Sequence, residues 1–248
     1  MGGPKAPPNP LIMAPSSVDP DSVRGRTVIV GDVHGCRAEL EALLARVGFV
    51  SGDRLVMVGD LVVRGPDPAG TLDLVASLGA RSVRGNHEDR LLRCRAGEAP
   101  RGDAQRATIE ALADRHWAFM ASFPLWLDLP EHGLRVVHAG VVPGVPIERQ
   151  TPRALMYMRG LGPAGEPVER RVPEVWGARY LGPPHVVFGH NAQAEPQLHP
   201  AATGLDTSAV YGGRLTAMVL AEGACPPPPA ERGDVLVSVP AARAYAHD

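Results

Sequence analysis

Thr27-Val28-Ile29-Val30-Gly31-Asp32-Val33-His34-Gly35-Cys36 is the stretch whose reading decides the fold. A β-branched apolar run that stops on glycine reads as a buried strand. Asp32 and His34 follow it two residues apart. In α/β sheets, ligands bind in the crevice beyond the strands' carboxyl ends, and a hard carboxylate beside a neutral imidazole is a donor set for a divalent transition ion. Taken alone, Gly31-Asp32-Val33-His34-Gly35 serves equally well as a tight turn. Recurrence of the pattern decides between the two.

Working outward, Leu40, Leu43, Leu44 and Val47 fall at i, i+3, i+4 and i+7, one apolar helix face ending at Gly48. Arg54-Leu55-Val56-Met57-Val58 is a second strand and ends on Gly59-Asp60, followed by Leu61-Val62-Val63-Arg64-Gly65-Pro66. Asp67 and Pro68 open the next helix, a carboxylate cap with proline in the first turn. A third unit closes on Arg81-Ser82-Val83-Arg84-Gly85-Asn86-His87-Glu88. The segment from Asp89 to about Met120 reads as helical, its arginines (Arg90, Arg93, Arg95) as a solvated face. Strands at Leu125 to Leu129 and Leu134 to Val137 deliver His138-Ala139-Gly140. His185 to Phe188 then delivers Gly189-His190. Between them, Val141 to Pro184 reads as loops over the site, with a short helix near Arg153 to Met158. Arg214 to Leu220 reads as a strand returning beside the first.

The 248 residues, 44% of them hydrophobic, suffice for one sizeable core. Residues 1 to about 24 carry six prolines and read as a flexible tail, residues 25–222 as the domain, and residues 223–248 as a proline linker with a possible edge strand. Lysine plus arginine (25) nearly balance aspartate plus glutamate (27), so net charge gives no support for bulk nucleic-acid or membrane-surface binding. Cys36, Cys94 and Cys225 show no metal-finger spacing and fit reduced thiols, and no apolar run is long enough to span a bilayer. The expectation is a cytoplasmic protein.

Gly31-Asp32-Val33-His34-Gly35, Gly59-Asp60, Gly85-Asn86-His87-Glu88, His138-Ala139-Gly140 and Gly189-His190 resemble, in order and spacing, the motifs of the calcineurin-like metallophosphoesterases over roughly residues 26 to 220. Gly59 to Pro66, Leu205-Asp206-Thr207 and Tyr211-Gly212-Gly213-Arg214-Leu215-Thr216 resemble the symmetrical diadenosine tetraphosphatases (ApaH) and the ApaH-like phosphatases. The resemblance implies an α/β fold, a four-layer α-β-β-α sandwich of two mixed sheets with a dinuclear metal site at the strand carboxyl ends. By position in the family, Asp32, His34 and Asp60 bind one ion, and Asp60, Asn86, His138 and His190 the other. His87 is then the general acid, and Arg64 clamps phosphoryl oxygens. Arg159 reads equally as a second clamp or a surface arginine. Asp206 reads as a structural carboxylate, and Tyr211 as a base-stacking or a core residue.

Phosphate esters repel anionic nucleophiles, and two divalent ions roughly 3.5–4 Å apart cancel that charge and activate a water. Manganese is the first expectation, and iron, cobalt, nickel and zinc also accept these N/O donors. The implied substrate is a phosphorylated small molecule, first a dinucleoside polyphosphate such as diadenosine tetraphosphate cut symmetrically to ADP. A phosphoprotein, capped RNA or polyphosphate is the alternative, and a metal-binding scaffold without turnover is disfavoured because the ligand set and His87 are all present. Two departures stand out: Asn191-Ala192 follows Gly189-His190 where some superfamily members carry a second histidine, and Ser208 replaces the glycine of the ApaH pattern. Val63 stands where protein Ser/Thr phosphatases of the same superfamily carry an aspartate that pairs with the histidine equivalent to His87.

Overall fold

A computed structural model describes residues 25–247 except Glu174. The tail expected for residues 1–24 lies outside the described residues. The β-branched run forms strand β1 (Thr27–Val30), buried along its whole length because both its faces are covered. Helix α1 (Arg37–Arg46) leads to β2 (Arg54–Met57), α2 (Pro68–Ser77) to β3 (Arg81–Ser82), and β1, β2 and β3 run parallel. The Asp67 carboxylate caps α2 by accepting the Gly70 amide at 2.8 Å, as the Asp-Pro pair predicts.

The single helical run expected from Asp89 to Met120 is instead three helices, α3 (Asn86–Arg95), α4 (Asp103–Ala111) and α5 (Asp114–Ala121). Gly97 and Gly102 flank Pro100 and take φ of +112° and +86°, values that end a right-handed helix. The chain then enters a second sheet through β4 (Trp126–Leu129) and β5 (Leu134–Val137). Helix α6 (Pro152–Tyr157) and a hairpin of β6 (Gly160–Leu161) and β7 (Pro167–Val168) follow. Strands β8 (His185–Phe188), β9 (Gln197–Leu198) and β10 (Ala202–Gly204) complete the second sheet. Strands β11 (Arg214–Leu220) and β12 (Leu236–Pro240) return to the first.

The sheet orders are β12-β11-β1-β2-β3 and β4-β5-β8-β10-β9, both mixed, with β11 antiparallel to β1 and β5, β8 and β10 parallel. Alternation along β1 sorts its side chains. Val28 and Val30 pack with Leu40, Leu43, Leu72 and Val75 of the helices, while Ile29 faces Leu129, Val136 and Val187 of the second sheet. The outer face of that sheet, with Val186 and Phe188, is covered by Leu155 of α6, Met158 and Trp176. The layers are therefore helices, sheet, sheet, and a last layer of one short helix with turns. After the proline run, buried Arg232 donates to the carbonyls of Pro227, His199, Ala202 and Pro200 and fastens the chain ahead of β12. Among the described residues, no helix is long and apolar enough to cross a membrane.

Candidate metal centre

Parallel strands of both sheets deliver their loops to one edge. Asp32 and His34 follow β1, Asp60 follows β2, Asn86 and His87 follow β3, His138 follows β5, His190 follows β8 and Asp206 follows β10. Among the described residues, every non-glycine residue with positive φ lies in these loops or the turn after Asp206: His34 (+49°), Asp60 (+50°), Val63 (+68°), Arg64 (+75°), His190 (+65°) and Ser208 (+65°). Such conformations cost on the order of 1–3 kcal/mol each and persist only where the surroundings enforce them. For the β-branched Val63 this is a true outlier. Ser208 occupies a backbone conformation suited to the glycine it replaces.

Asp60 is the centre of the arrangement. Its Oδ1 accepts the His87 backbone amide at 3.0 Å. Its Oδ2 faces three imidazole Nε2 atoms, of His138 at 3.4 Å, His34 at 3.6 Å and His87 at 4.0 Å. Among the described residues, two three-residue groups have ligand atoms close enough to hold an ion, His34–Asp60–His87 and Asp60–His138–His190, and Asp60 belongs to both. His138 Nε2 also meets Asn86 Oδ1 at 3.0 Å, so the oxygens assigned to the second ion converge on one point. Asp32 takes the His190 backbone amide on both carboxylate oxygens, at 3.2 and 3.0 Å, and ties the first loop to the last.

The imidazoles are oriented as metal ligands are. His34 and His138 set Nδ1 against the carbonyls of Val62 (3.1 Å) and Val58 (2.9 Å), and His190 sets Nε2 against that of Tyr157 (3.2 Å). In His34 and His190 this fixes the tautomer and leaves the other nitrogen a lone pair for a cation, while His138 Nε2 faces the oxygens of Asp60 and Asn86 and carries a proton that an ion would displace. Burial, the largest effect, lowers His34 to about 4 and His190 well below its ordinary value, so both are held neutral. Burial opposes charge on His138 too, but the Asp60 carboxylate outweighs it and raises the group to about 10. Asp60 is held well below the usual carboxylate range because His138, His87 and His34 together outweigh its burial. Asp32 is pushed well above that range by burial and by Asp206. His34, His190 and ionised Asp60 thus already stand in the state a divalent ion requires, whereas His138 and Asp32 would release a proton when an ion binds.

A family described as the calcineurin-like phosphoesterases matches residues 25–194. The chain is a calcineurin-like phosphoesterase. A Geobacillus thermodenitrificans protein named bis(5'-nucleosyl)-tetraphosphatase PrpE, asymmetrical, is 29% identical over 220 residues, 77% of this chain and 88% of that protein. A Shewanella baltica protein named bis(5'-nucleosyl)-tetraphosphatase, symmetrical, is 44% identical over 123 residues, 46% of this chain and 44% of that protein. A crystal structure provisionally described as a diadenosine tetraphosphatase superimposes with TM-score 0.77 at 37% identity, covering 89% of this chain and 95% of that one. The phosphoesterase is thus a hydrolase, and its family implies divalent ions at the clusters just described.

The phosphoesterase's pocket is lined by Asp32, His34, Asp60, Asn86, His87 and His190 at its base. His138 lies fully buried beneath. Arg64, Arg159, Arg171, Ala192, Asp206 and Tyr211 form the rest of the wall. Arg64 Nη1 reaches His34 Nε2 at 3.2 Å and its guanidinium lies over the Tyr211 ring at 5.4 Å. Arg159 Nη1 donates to the His190 carbonyl and to Asn191 Oδ1, both at 3.2 Å, which draws this arginine to the site instead of the open surface.

Three features escape a sequence reading. Glu88 is buried and accepts the amides of Asp60 (2.9 Å), Leu61 (2.8 Å) and Gly85 (2.9 Å), knitting two ligand loops together. Burial and Asp60 lift it to about 7. Arg171 reaches the pocket from a segment without periodicity. Asp206, expected only to hold its loop, does accept the Ser208 amide at 3.1 Å but also lines the pocket, and its own burial raises it to about 6. Two glycines have steric reasons. A Cβ on Gly189 would stand 1.9 Å from Asp32 Oδ1, and one on Gly85 would stand 2.2 Å from Asp60 Oδ1.

Proposed function

We propose that this phosphoesterase hydrolyses phosphoanhydride bonds of dinucleoside polyphosphates at a dinuclear centre. Asp32, His34 and Asp60 would hold one divalent ion and Asp60, Asn86, His138 and His190 the other, with manganese first among the transition ions. The fit rests on the shared Asp60 and on three imidazoles whose second nitrogens are fixed by carbonyls. When bound, the ions would neutralise phosphoryl charge and supply an activated water. Arg64 and Arg159 would orient phosphoryl oxygens from the pocket wall, and Asp206 would keep the wall loop in place.

The observation that carries the choice of bond is the environment of His87, assigned here to protonate the leaving oxygen. Its Nδ1 is buried and takes no hydrogen bond from any described residue. Val63 supplies no acceptor. Glu88 is committed to three amides, and Asp89 Oδ2 accepts the Tyr157 hydroxyl at 2.5 Å. Without a carboxylate behind it, an imidazole is less readily protonated and less firmly oriented, so it is a weak general acid. A serine alkoxide needs that proton. A nucleoside diphosphate leaves as a stabilised anion and needs it far less.

Symmetrical cleavage of diadenosine tetraphosphate to two ADP is favoured by the 44%-identical segment shared with the symmetrical relative. The asymmetrical relative, matching over 220 residues, supports AMP plus ATP as the second reading. Incubation with diadenosine tetraphosphate in manganese buffer, with products resolved by chromatography, tests both. ADP alone supports the first and equal AMP and ATP the second. Turnover of phosphopeptides without any cleavage of the dinucleotide would overturn the proposal.

A further inference from the structure

The loop after β8 does two jobs. It begins with His190 at the candidate metal centre and continues as Asn191 to Pro196 along the rim of a second, open depression lined by Arg171, Ala192, Gln193, Ala194, Ser208 and Tyr211. Arg171, Ala192 and Tyr211 line both cavities, so the depression opens directly from the pocket that holds the candidate ligands. The rim is a built structure. The Gln193 amide donates to the Asp206 carbonyl at 3.1 Å, the Ser208 hydroxyl to the Gln193 carbonyl at 3.0 Å, and Gln197 Nε2 to the Asn191 carbonyl at 3.0 Å. Arg214 reaches the Ala194 carbonyl at 3.3 Å from the returning strand β11. Four contacts on so short a loop hold its shape before any ligand arrives.

We infer that this second depression is the seat of one nucleoside of the substrate, an inference that rests on the dinucleotide reading proposed above. The chemistry of its walls fits a purine nucleoside. Arg171 and Tyr211 stand at the junction, Tyr211 with the Arg64 guanidinium over one side of its ring, and an aromatic ring or a guanidinium plane is the surface on which a base stacks. Ala192 and Ala194 leave room for a flat ring. Gln193 offers an amide with an acceptor and a donor side by side, the pairing that suits adenine's edge. The metal pocket, by contrast, is walled by carboxylates, imidazoles and arginines, groups suited to ions and phosphates. A nucleoside fixed in the depression would set how many phosphates separate it from the ions, and so which anhydride is cut. The loop after β8 is thereby the ruler for cleavage position.

The test compares Gln193→Ala and Ala194→Phe with the wild type, all loaded with manganese. Both side chains lie only on the second depression and are exposed. The first readout is the ratio of kcat/KM for diadenosine tetraphosphate to that for p-nitrophenyl phosphate. The second is inhibition of p-nitrophenyl phosphate turnover by ADP and, separately, by inorganic phosphate. The ratio is expected to fall about tenfold through KM, the size of one lost base contact. ADP inhibition weakens by a similar factor and phosphate inhibition holds. A ratio and an ADP inhibition within twofold of wild type in both variants overturn the inference. A wild type that ignores the dinucleotide, yet whose ADP inhibition is weakened by these substitutions, overturns the substrate reading and leaves the nucleoside seat standing.

Discussion

Replacing Val63 by aspartate tests the argument from leaving groups. Val63 is 2% exposed and sits at φ +68°, where a β-branched residue is held at a cost of roughly 1–2 kcal/mol. Aspartate is several-fold more tolerant of that backbone, so relief of strain offsets part of the expense of burying a carboxylate. By the family resemblance, aspartate at 63 pairs with the imidazole of His87, whose buried Nδ1 has no partner among the described residues. An opposite charge at that range raises a histidine by about 1–3 units, enlarging the protonated fraction above its pKa by roughly 10- to 1,000-fold. General-acid assistance is worth about 10²–10⁴ in rate, so activity on phosphoserine or alkyl phosphomonoesters should rise at least about tenfold relative to diadenosine tetraphosphate. Activity that needs a protonated acid is lost as pH passes that acid's pKa. The alkaline limb of the pH–rate profile should therefore move upward by about a unit or more. Because burial lowers His87 to about 3, the assay is steady-state kinetics on both substrate classes from pH 4 to 9, with circular dichroism and metal content as controls. If Val63→Asp stays folded and metallated with substrate ratio and alkaline limb unchanged, the reasoning is wrong.

Three further outcomes follow from particular contacts. Gly189→Ala puts a Cβ 1.9 Å from Asp32 Oδ1, so Asp32 must move, and kcat should fall by about 10²-fold or more with metal affinity reduced in a titration. Arg232→Met removes the donors for four carbonyls, leaving buried acceptors unpaired, and should lower stability by about 2–4 kcal/mol in urea unfolding while kcat changes little. His185 bonds Thr203 Oγ1 at 2.9 Å and is lowered by burial from 6.5 to about 4. The unfolded chain therefore binds the extra proton in that window, and the stability from keeping this ring neutral is full above pH 6.5 and lost as pH falls toward 4. His185→Gln should flatten this part of the acid limb of stability by at most about 3 kcal/mol, read from denaturant midpoints at pH 7 and 4.5.

The cluster of candidate ligands was legible because its grammar is local. Asp32, Asp60, Asn86 and His190 each follow a short strand and a glycine, and His138 follows its strand directly with the glycine two residues later, a pattern set by where parallel strands end, and all five meet at one edge. The sheets followed from the same strands. What escaped depends on distance in the chain. Glu88 looks like a first-turn helix carboxylate in α3, and only the fold shows it gripping amides of the Asp60 loop, 27 and 28 residues away. Arg171 and Arg232 come from stretches with no periodicity, so nothing local marks one as a pocket wall and the other as a buried fastening. The long helix read from Asp89 onward failed for a local reason instead. The helical reading ran across Gly97-Glu98-Ala99-Pro100, whose glycine and proline end a helix.

Asp60 is the side chain on which both ions would depend, and manganese content by elemental analysis tests that most directly. Wild-type protein, loaded and desalted, is expected to carry two ions per chain, His87→Asn to retain them while losing turnover, and Asp60→Asn to lose most metal and turnover together. A wild type that holds a single ion at saturation, or an Asp60→Asn protein that keeps both, would contradict the bridged centre on which the proposed chemistry stands.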